Sequence, residues 1–249
     1  MLSIVGTPIG NLGDLTFRAA ETLKACDLIA AEDTRHAGIL LHHYQIKKPL
    51  ISYHEHNEAQ RTAELIPRLR DENLHLALVS DAGMPTINDP GGRLIAACVA
   101  EGLPMEVIPG VSALTTALAG AGLPTAEVYF GGFLPNTSGR RENVLRHAAE
   151  LGITAIFFES PHRIERTLAV LAEIAPEARV CVARELTKKF EEFRRGTPAE
   201  VLAHYKTKPA KGEITFLVNA AQEKKKPHSD SASDPAHSVD RRFPNRRPS

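Results

Sequence analysis

One stretch of the chain, from Leu76 to Gly92, constrains the fold more than any other. It opens with four apolar residues and continues with the small or polar residues Ser80-Asp81-Ala82-Gly83. A continuous apolar run of this length is typical of a strand that is buried on both faces. Pro85 and Pro90 then exclude a regular element before the next helix-like segment. The sequence therefore predicts a strand, a loop and a helix, with the loop at the sheet edge where open α/β folds bind ligands.

The rest of the chain repeats this alternation of strand and helix patterns. Its 249 residues are enough for two modest domains, and 43% hydrophobic residues provide for a real core. Up to about residue 111 the pattern predicts a mostly parallel sheet covered by helices. We therefore predict two α/β domains, over 1–111 and 112–222. A Ser/Asp/Pro/Arg-rich segment over 223–249 has almost no apolar residues, which predicts a disordered tail.

Composition and charge argue against several classes of protein. Lys+Arg and Asp+Glu both number 30, so no net charge draws the whole chain onto nucleic acid, and RNA contacts depend on local basic patches. The three cysteines lie far apart without a CxxC pair, which favours a reducing cytoplasm over a disulfide framework or a zinc site. No apolar run approaches the roughly 20 residues that span a bilayer. We expect a cytoplasmic protein without a metal site or a membrane partner.

A second polar segment, Glu32-Asp33-Thr34-Arg35-His36, follows the strand predicted over 28–31. Two interpretations of its acids stay open at this point. Acids at the start of a helix stabilise the positive end of its dipole. The same combination of carboxylates, hydroxyl, guanidinium and imidazole is also suited to contact a substrate.

Six loop segments in one order along residues 1–220 together resemble the tetrapyrrole-methylase superfamily. They are Gly6-Thr7-Pro8-Ile9-Gly10-Asn11-Leu12, Ala31-Glu32-Asp33-Thr34-Arg35, Ser80-Asp81-Ala82-Gly83-Met84-Pro85, Pro109-Gly110, Phe158-Glu159-Ser160-Pro161-His162-Arg163 and Ala183-Arg184-Glu185-Leu186-Thr187-Lys188. The resemblance implies two α/β domains with S-adenosylmethionine in the cleft between them, and usually a homodimer. Within the superfamily, the segments are most similar to the methylases that modify the ribose 2′-hydroxyl of a cytidine in 16S rRNA of the small ribosomal subunit.

The same resemblance implies which residues surround the cofactor. They are Pro8, Asp81, Ala82, Gly83, Ile87, Ser112, Ala113, Phe158 and Leu186. Small residues at 82–83 would let the backbone approach the methionine part of S-adenosylmethionine directly.

Methyl transfer to a ribose hydroxyl needs a group that helps the hydroxyl to lose its proton. The candidate bases are Glu32, Asp33 and Glu159, with Arg35 as a neighbouring cation, and the sequence does not choose among them. The residues predicted to contact RNA are Arg35, Arg140, Arg141 and Lys188. Two alternatives stay open: a methylase of the same fold that acts on a tetrapyrrole or another small molecule, and a non-catalytic RNA-binding or assembly protein.

Overall fold

The computed structural model describes residues 1–221, which form two five-stranded sheets with helices on their faces. The tail predicted over 223–249 lies outside the described residues. The first half contains β1 (Leu2–Val5), α1 (Phe17–Ala25), β2 (Leu28–Ala31), α2 (Thr34–His43), β3 (Leu50–Ser52), α3 (Glu58–Asp71), β4 (Leu76–Val79), α4 (Gly92–Ala100) and β5 (Met105–Ile108). The second half contains α5 (Ala113–Ala121), β6 (Val128–Phe133), α6 (Ser138–Leu151), β7 (Thr154–Glu159), α7 (Ile164–Ile174), β8 (Arg179–Arg184), β9 (Glu192–Gly196), α8 (Pro198–Thr207) and β10 (Ile214–Asn219).

The first sheet is parallel throughout, with strand order β3-β2-β4-β1-β5. Every residue of its inner strands β1, β2 and β4 is buried, as their continuous apolar runs predict. Two apolar cores cover its faces, one built with α3 and α4 and the other with α1 and α2. The structure thus confirms the predicted α/β fold, and it brings the loops after β1, β2, β4 and β5 to one edge.

The second sheet is mixed, with strand order β6-β7-β10-β8-β9. Only β6 and β7 pair in parallel, whereas β10 pairs antiparallel with β7 and β8, and β8 pairs antiparallel with β9. Helices α6, α7 and α8 contribute to the core on one face of this sheet, and α5 packs on the other face. We keep the domain boundary at 111–112 as a proposal, since α5 is the first element in the chain that packs on the second sheet.

A loop of the first half inserts into the core of the second half. Ile9, which follows β1, is buried in a cluster with Ala117 of α5 and Leu186 after β8. Next to it, Gly10 lies under Lys188, because a Cβ on this glycine would come within 2.5 Å of the lysine Cγ. The two halves therefore meet through their loops, and this contact forms the floor of the site described next. No helix among the described residues is long and apolar enough to cross a bilayer.

Candidate active site

The loops at the carboxyl edge of the first sheet are tied to one another by their backbones. Thr7 N donates to Gly83 O at 2.8 Å, and Gly83 N donates to Thr7 O at 3.1 Å. A Cβ on Gly6 would lie 2.8 Å from the Cα of Gly110, so only glycine permits the loops after β1 and β5 to approach this closely. The carboxyl edge predicted from 76–92 is thus a compact loop platform.

A cleft of about 410 Å³ separates this platform from the second sheet. This volume lies within the roughly 300–1,000 Å³ that small-molecule sites occupy. Its walls come from both halves of the chain: Ile9, Ala82, Gly83, Met84, Ile87, Asn88, Asp89, Ser112, Ala113, Phe133, Phe158, Glu159, Ser160, Pro161, Ala183, Leu186, Gly212, Glu213, Ile214 and Thr215. Seven residues predicted to surround the cofactor lie on this lining, namely Ala82, Gly83, Ile87, Ser112, Ala113, Phe158 and Leu186.

Local backbone geometry fits several of these residues to a ligand site. Gly83 has φ +83°, and Leu186 lies between Glu185 and Thr187, which have φ +51° and +65°. Left-handed conformations at non-glycine residues are strained and concentrate at functional sites. Ser112 is the N-cap residue of α5, yet its side chain makes no capping hydrogen bond. The residue is part of the cleft lining instead.

Two residues predicted for the cofactor, Pro8 and Asp81, line a separate pocket of about 90 Å³ together with His36. The Asp81 carboxylate accepts a hydrogen bond from Asp33 N at 3.0 Å, and its other oxygen lies 4.0 Å from His36 Nδ1. Asp81 therefore joins the loop after β4 to the loop after β2. Neither Pro8 nor Asp81 lies on the lining of the main cleft.

The polar segment after β2 consists of a helix cap, Asp33, and a partly buried acid, Glu32. Asp33 is the N-cap of α2 and accepts from Arg35 N at 2.8 Å, as the dipole interpretation predicts. Its half-buried carboxylate also accepts a hydrogen bond from the Arg35 guanidinium at 2.6 Å, and this hydrogen bond lowers the pKa of Asp33. For Glu32, partial burial is the main cause of a raised pKa, and the charge of Asp81 adds to it. Asp33 is thus a weak base, whereas Glu32 holds its proton more strongly.

Glu159, the third predicted base, is fully enclosed and fully partnered. One carboxylate oxygen accepts from Ser160 N at 2.7 Å and lies 2.7 Å from an Arg163 nitrogen. The other oxygen accepts from Thr167 Oγ1 at 2.7 Å. These contacts fix the start of α7 against the end of β7 and leave no carboxylate oxygen free, so the geometry favours a structural role.

A family model for tetrapyrrole (corrin/porphyrin) methylases matches residues 1–202. The chain belongs to the tetrapyrrole methylase family. Relatives named "Ribosomal RNA small subunit methyltransferase I" include those of Thermotoga maritima, 46% identical over 89% of this chain and 99% of that protein, and Bacillus subtilis, 42% identical over 89% and 75%.

Solved structures agree with the fold of this methylase. A diphthine synthase aligns with a TM-score of 0.69 at 14% identity, covering 88% of this chain and 89% of the other. The uroporphyrin-III-C-methyltransferase of Thermus thermophilus aligns with a TM-score of 0.59 at 22% identity, covering 88% and 94%. At these identities the likeness concerns the fold alone.

The basic residues predicted for RNA have unequal surroundings in this methylase. Arg140, in the first turn of α6, is exposed. Arg141 is only 4% exposed and donates to the backbone carbonyls of Pro135 and Asn136, so its burial gives no support to the predicted RNA contact. Lys188 Nζ is held by Glu185 at 3.1 Å and Glu213 at 2.8 Å. Its charge is therefore already matched within the protein, as is that of Arg35.

Sequence reasoning missed two prominent residues of this methylase's cleft, Asp89 and Phe133. Asp89 follows the predicted loop segment that ends at Pro85. The sequence feature that could have pointed to it is an acidic residue in the short loop sequence Asn88-Asp89-Pro90. Phe133 ends β6 behind a break in register, and it is 60% exposed while its ring lies 5.3 Å from that of Phe158. An aromatic residue in a strand pattern reads as core, so no sequence signal marked Phe133 as exposed.

Proposed function

We propose that this chain transfers a methyl group from S-adenosylmethionine to the ribose 2′-hydroxyl of a cytidine in 16S rRNA of the small ribosomal subunit. The observation that carries the proposal is the similarity to relatives named as small-subunit rRNA methyltransferases, at 42–46% identity over about nine-tenths of the chain. Members of this family use S-adenosylmethionine as methyl donor.

The cleft fits that methyl donor in size and character. Its lining is mostly apolar, with the small residues Ala82, Gly83 and Ala113 on one wall, where a ligand can come close to the main chain. Ala82, Gly83, Ser112, Ala113, Phe158 and Leu186 are the residues we assign to hold it. When bound, the cofactor supplies an activated methyl group on a positively charged sulfur. Asp89 places negative charge on the same lining and favours that cation.

The protein's contribution to such a displacement is alignment and exclusion of water. Holding the acceptor oxygen, methyl carbon and sulfur in line can supply an effective molarity of about 10⁵ M or more. Loops from both halves of the chain line the cleft, and Ile9 and Leu186, which belong to one buried apolar cluster, lie on its lining. Apolar walls of this kind exclude water and so limit competing hydrolysis of the donor.

The apolar rim of the cleft favours a nucleoside as acceptor. Ile87 and Phe133, 43% and 60% exposed, both lie on the lining. Exposed apolar and aromatic side chains are the surfaces on which splayed-out bases of RNA stack. RNA phosphates are disfavoured beside Asp89, so we assign phosphate contacts to exposed cations outside the cleft, such as Arg140. A tetrapyrrole is the second candidate acceptor, since the fold alone is shared with enzymes named for porphyrin chemistry.

We also propose that the methylase is a homodimer in the cytoplasm. Among residues 1–221 no strand pairs with the outer edge of β5, and its Val107 is exposed, as is Val99 on the preceding helix. An uncovered edge strand with apolar side chains is suited to pairing with a second copy. All three cysteines are free and buried, which fits a reducing compartment.

Transfer of a tritiated methyl group to small ribosomal subunits from cells that lack this methylation tests the proposed activity. We expect one labelled cytidine, with the label on the 2′-oxygen, and binding that weakens as salt rises. Arg140→Ala should weaken binding and lower the salt slope by about one unit, as expected for one lost phosphate contact. If the label were transferred to a tetrapyrrole and not to the subunit, the proposed substrate would be wrong. If calorimetry detected no binding of S-adenosylmethionine, the proposed methyltransferase activity would be contradicted.

Gly83→Ala tests the assignment of the cofactor wall. Alanine at φ +83° is strained by about 1 kcal/mol or more, and its Cβ would lie 3.3 Å from Ile9. We expect weaker S-adenosylmethionine binding in calorimetry. Gly38→Ala is the matched control, because Gly38 lies inside α2 with nothing within 4 Å of the added Cβ. That variant should bind the cofactor normally and gain about 0.5–1 kcal/mol of stability. If both variants bound S-adenosylmethionine equally well, the assignment of Gly83 to the cofactor site would be wrong.

A further inference from the structure

The cleft shares one carboxylate with a neighbouring acidic pocket. Asp89 lines the main cleft and also a pocket formed with Glu32, Glu55, Glu58 and Arg93. It therefore lies on the boundary between the cleft and this acidic pocket. Its loop is held in an unusual conformation, since Thr86 and Asn88 have φ +74° and +67°. Strain of this kind next to a cleft is typical of a residue whose position serves function.

The other carboxylates on the cleft lining are occupied. Glu159 is enclosed by Arg163, Thr167 and Ser160. Glu213 pairs with Lys188 at 2.8 Å. Within residues 1–221, no cation lies within ion-pair distance of Asp89. Of the carboxylates facing the cleft, only that of Asp89 is thus free of a cation that would compete for its charge.

We propose that Asp89 is the general base of the methyl transfer, which rests on the function proposed above. In this step the ribose 2′-oxygen forms a bond to the methyl carbon while the carbon–sulfur bond breaks, and its electron pair goes to sulfur. The hydroxyl proton passes to an Asp89 carboxylate oxygen and then to solvent. The products are the 2′-O-methyl ribose, the demethylated thioether and one proton. None of the three bases predicted from sequence, Glu32, Asp33 and Glu159, combines a place on this lining with a free carboxylate.

The charges around Asp89 support this role. Burial is the main cause that raises its pKa to about 6, and the nearby charges of Glu32 and Asp81 add to the shift. The Ser80 hydroxyl opposes the shift, although its buried oxygen has no hydrogen bond of good geometry. Glu55 and Glu58 add negative charge on the pocket side and Arg93 adds one positive charge. Asp89 is therefore ionised at pH 7 yet more basic than an ordinary aspartate, as a general base requires.

Single-turnover methyl transfer to undermethylated small subunits tests the proposal, with full-length Asp89→Asn, Asp89→Glu and Glu32→Gln variants. We expect Asp89→Asn to lower the rate at saturating cofactor and subunit by about 100-fold or more. Cofactor binding by calorimetry should change by less than about fivefold. The wild-type rate should fall about tenfold per pH unit below pH 6, and this limb should vanish in Asp89→Asn. Glu32→Gln should move the limb to lower pH, and Asp89→Glu should retain it at a reduced rate.

Asp71→Asn is the matched control, because Asp71 pairs with Arg70 on the exposed end of α3 and lies outside the cleft. It should leave the rate and the pH profile unchanged. A rate for Asp89→Asn within threefold of wild type, or an unchanged acid limb, would overturn the proposal. A rate loss matched by an equal loss of cofactor binding would also overturn it. Wild type that binds cofactor but labels no ribose would instead overturn the proposed function itself, and the base with it.

Discussion

The two walls of the cleft hold their carboxylates in opposite ways. On the N-terminal wall, Asp89 has no cation within ion-pair distance among residues 1–221, and burial raises its pKa to about 6. On the C-terminal wall, Glu159 and Glu213 meet Arg163 and Lys188 at 2.7 and 2.8 Å. An unpaired, partly buried carboxylate is destabilising but reactive, whereas a paired one is held in place and chemically quiet. This difference agrees with the proposed proton transfer to Asp89 on the N-terminal wall and with a structural role for the paired carboxylates on the C-terminal wall.

Glu159→Gln should have the largest effect on stability, since it breaks an enclosed ion pair. The Glu159 side chain is fully buried and Arg163 is 18% exposed, so the amide would leave a poorly solvated guanidinium. We expect the free energy of unfolding to fall by about 3 kcal/mol. Denaturant unfolding at neutral pH measures it.

Glu142→Gln serves as control for that measurement. Glu142 pairs with Arg146 at 2.8 Å on the exposed face of α6. Such surface pairs contribute little, so the change should stay within about 0.5 kcal/mol. If both variants lose the same stability, burial of the Glu159 pair is not what stabilises the C-terminal wall.

Asp89→Asn should change stability in the opposite direction and by less. The folded-state pKa of about 6 lies above the ordinary aspartate value, so the folded protein holds this proton more tightly. Its contribution is complete below about pH 4 and is lost as the pH rises through 6, where the buried carboxylate ionises. The amide removes that cost, and we expect a gain of about 1 kcal/mol, or about 2–4 °C, at pH 7.5.

Thermal unfolding at several pH values tests whether Asp89→Asn raises or lowers the stability of the protein. The gain over wild type should shrink as the pH falls from 7.5 to about 4.5, because wild-type Asp89 is then protonated. A gain independent of pH would mean that the carboxylate's ionisation is not the cause. Loss of stability at pH 7.5 would place Asp89 among the paired acids and remove the contrast between the walls.

The positions of strands and helices could be predicted because apolar periodicity is local. The buried apolar runs at Leu2–Val5 and Leu76–Val79 become strands at those residues, and Thr16, a residue type favoured at helix N-caps, caps α1. The direction of the strands in the second sheet could not be predicted, because it depends on which strands pair after folding. The position of Ala82 and Gly83 on the cleft followed from the loop motif, which is continuous in sequence.

Residues whose roles depend on how the loops pack could not be predicted from the sequence. The sequence predicts Arg141 as a surface cation beside Arg140. In the structure its side chain is buried and donates hydrogen bonds to the carbonyl oxygens of Pro135 and Asn136. Asp89 is more basic than an ordinary aspartate because folding partly buries it and also brings Glu32, from another loop, close to it. Its ion pair and hydrogen bonds also give Glu159 a structural role, which the sequence alone could not distinguish from that of a catalytic base. Charge environment is a property of the packed loops, so it is the part of the site that a motif does not specify.

Glu213→Gln should have the smallest effect, although this carboxylate belongs to the paired wall. Its side chain is 77% exposed, and Lys188 keeps its second partner, Glu185, at 3.1 Å when Glu213 is neutralised. We expect a loss of no more than about 0.5 kcal/mol in denaturant unfolding, and less at high salt, because exposed pairs are screened. If the loss approached that of Glu159→Gln, pairing alone would set the strength of the C-terminal wall. The expected difference instead makes burial the decisive variable, with Glu159 securing the start of α7 and Glu213 only restraining Lys188 over Gly10.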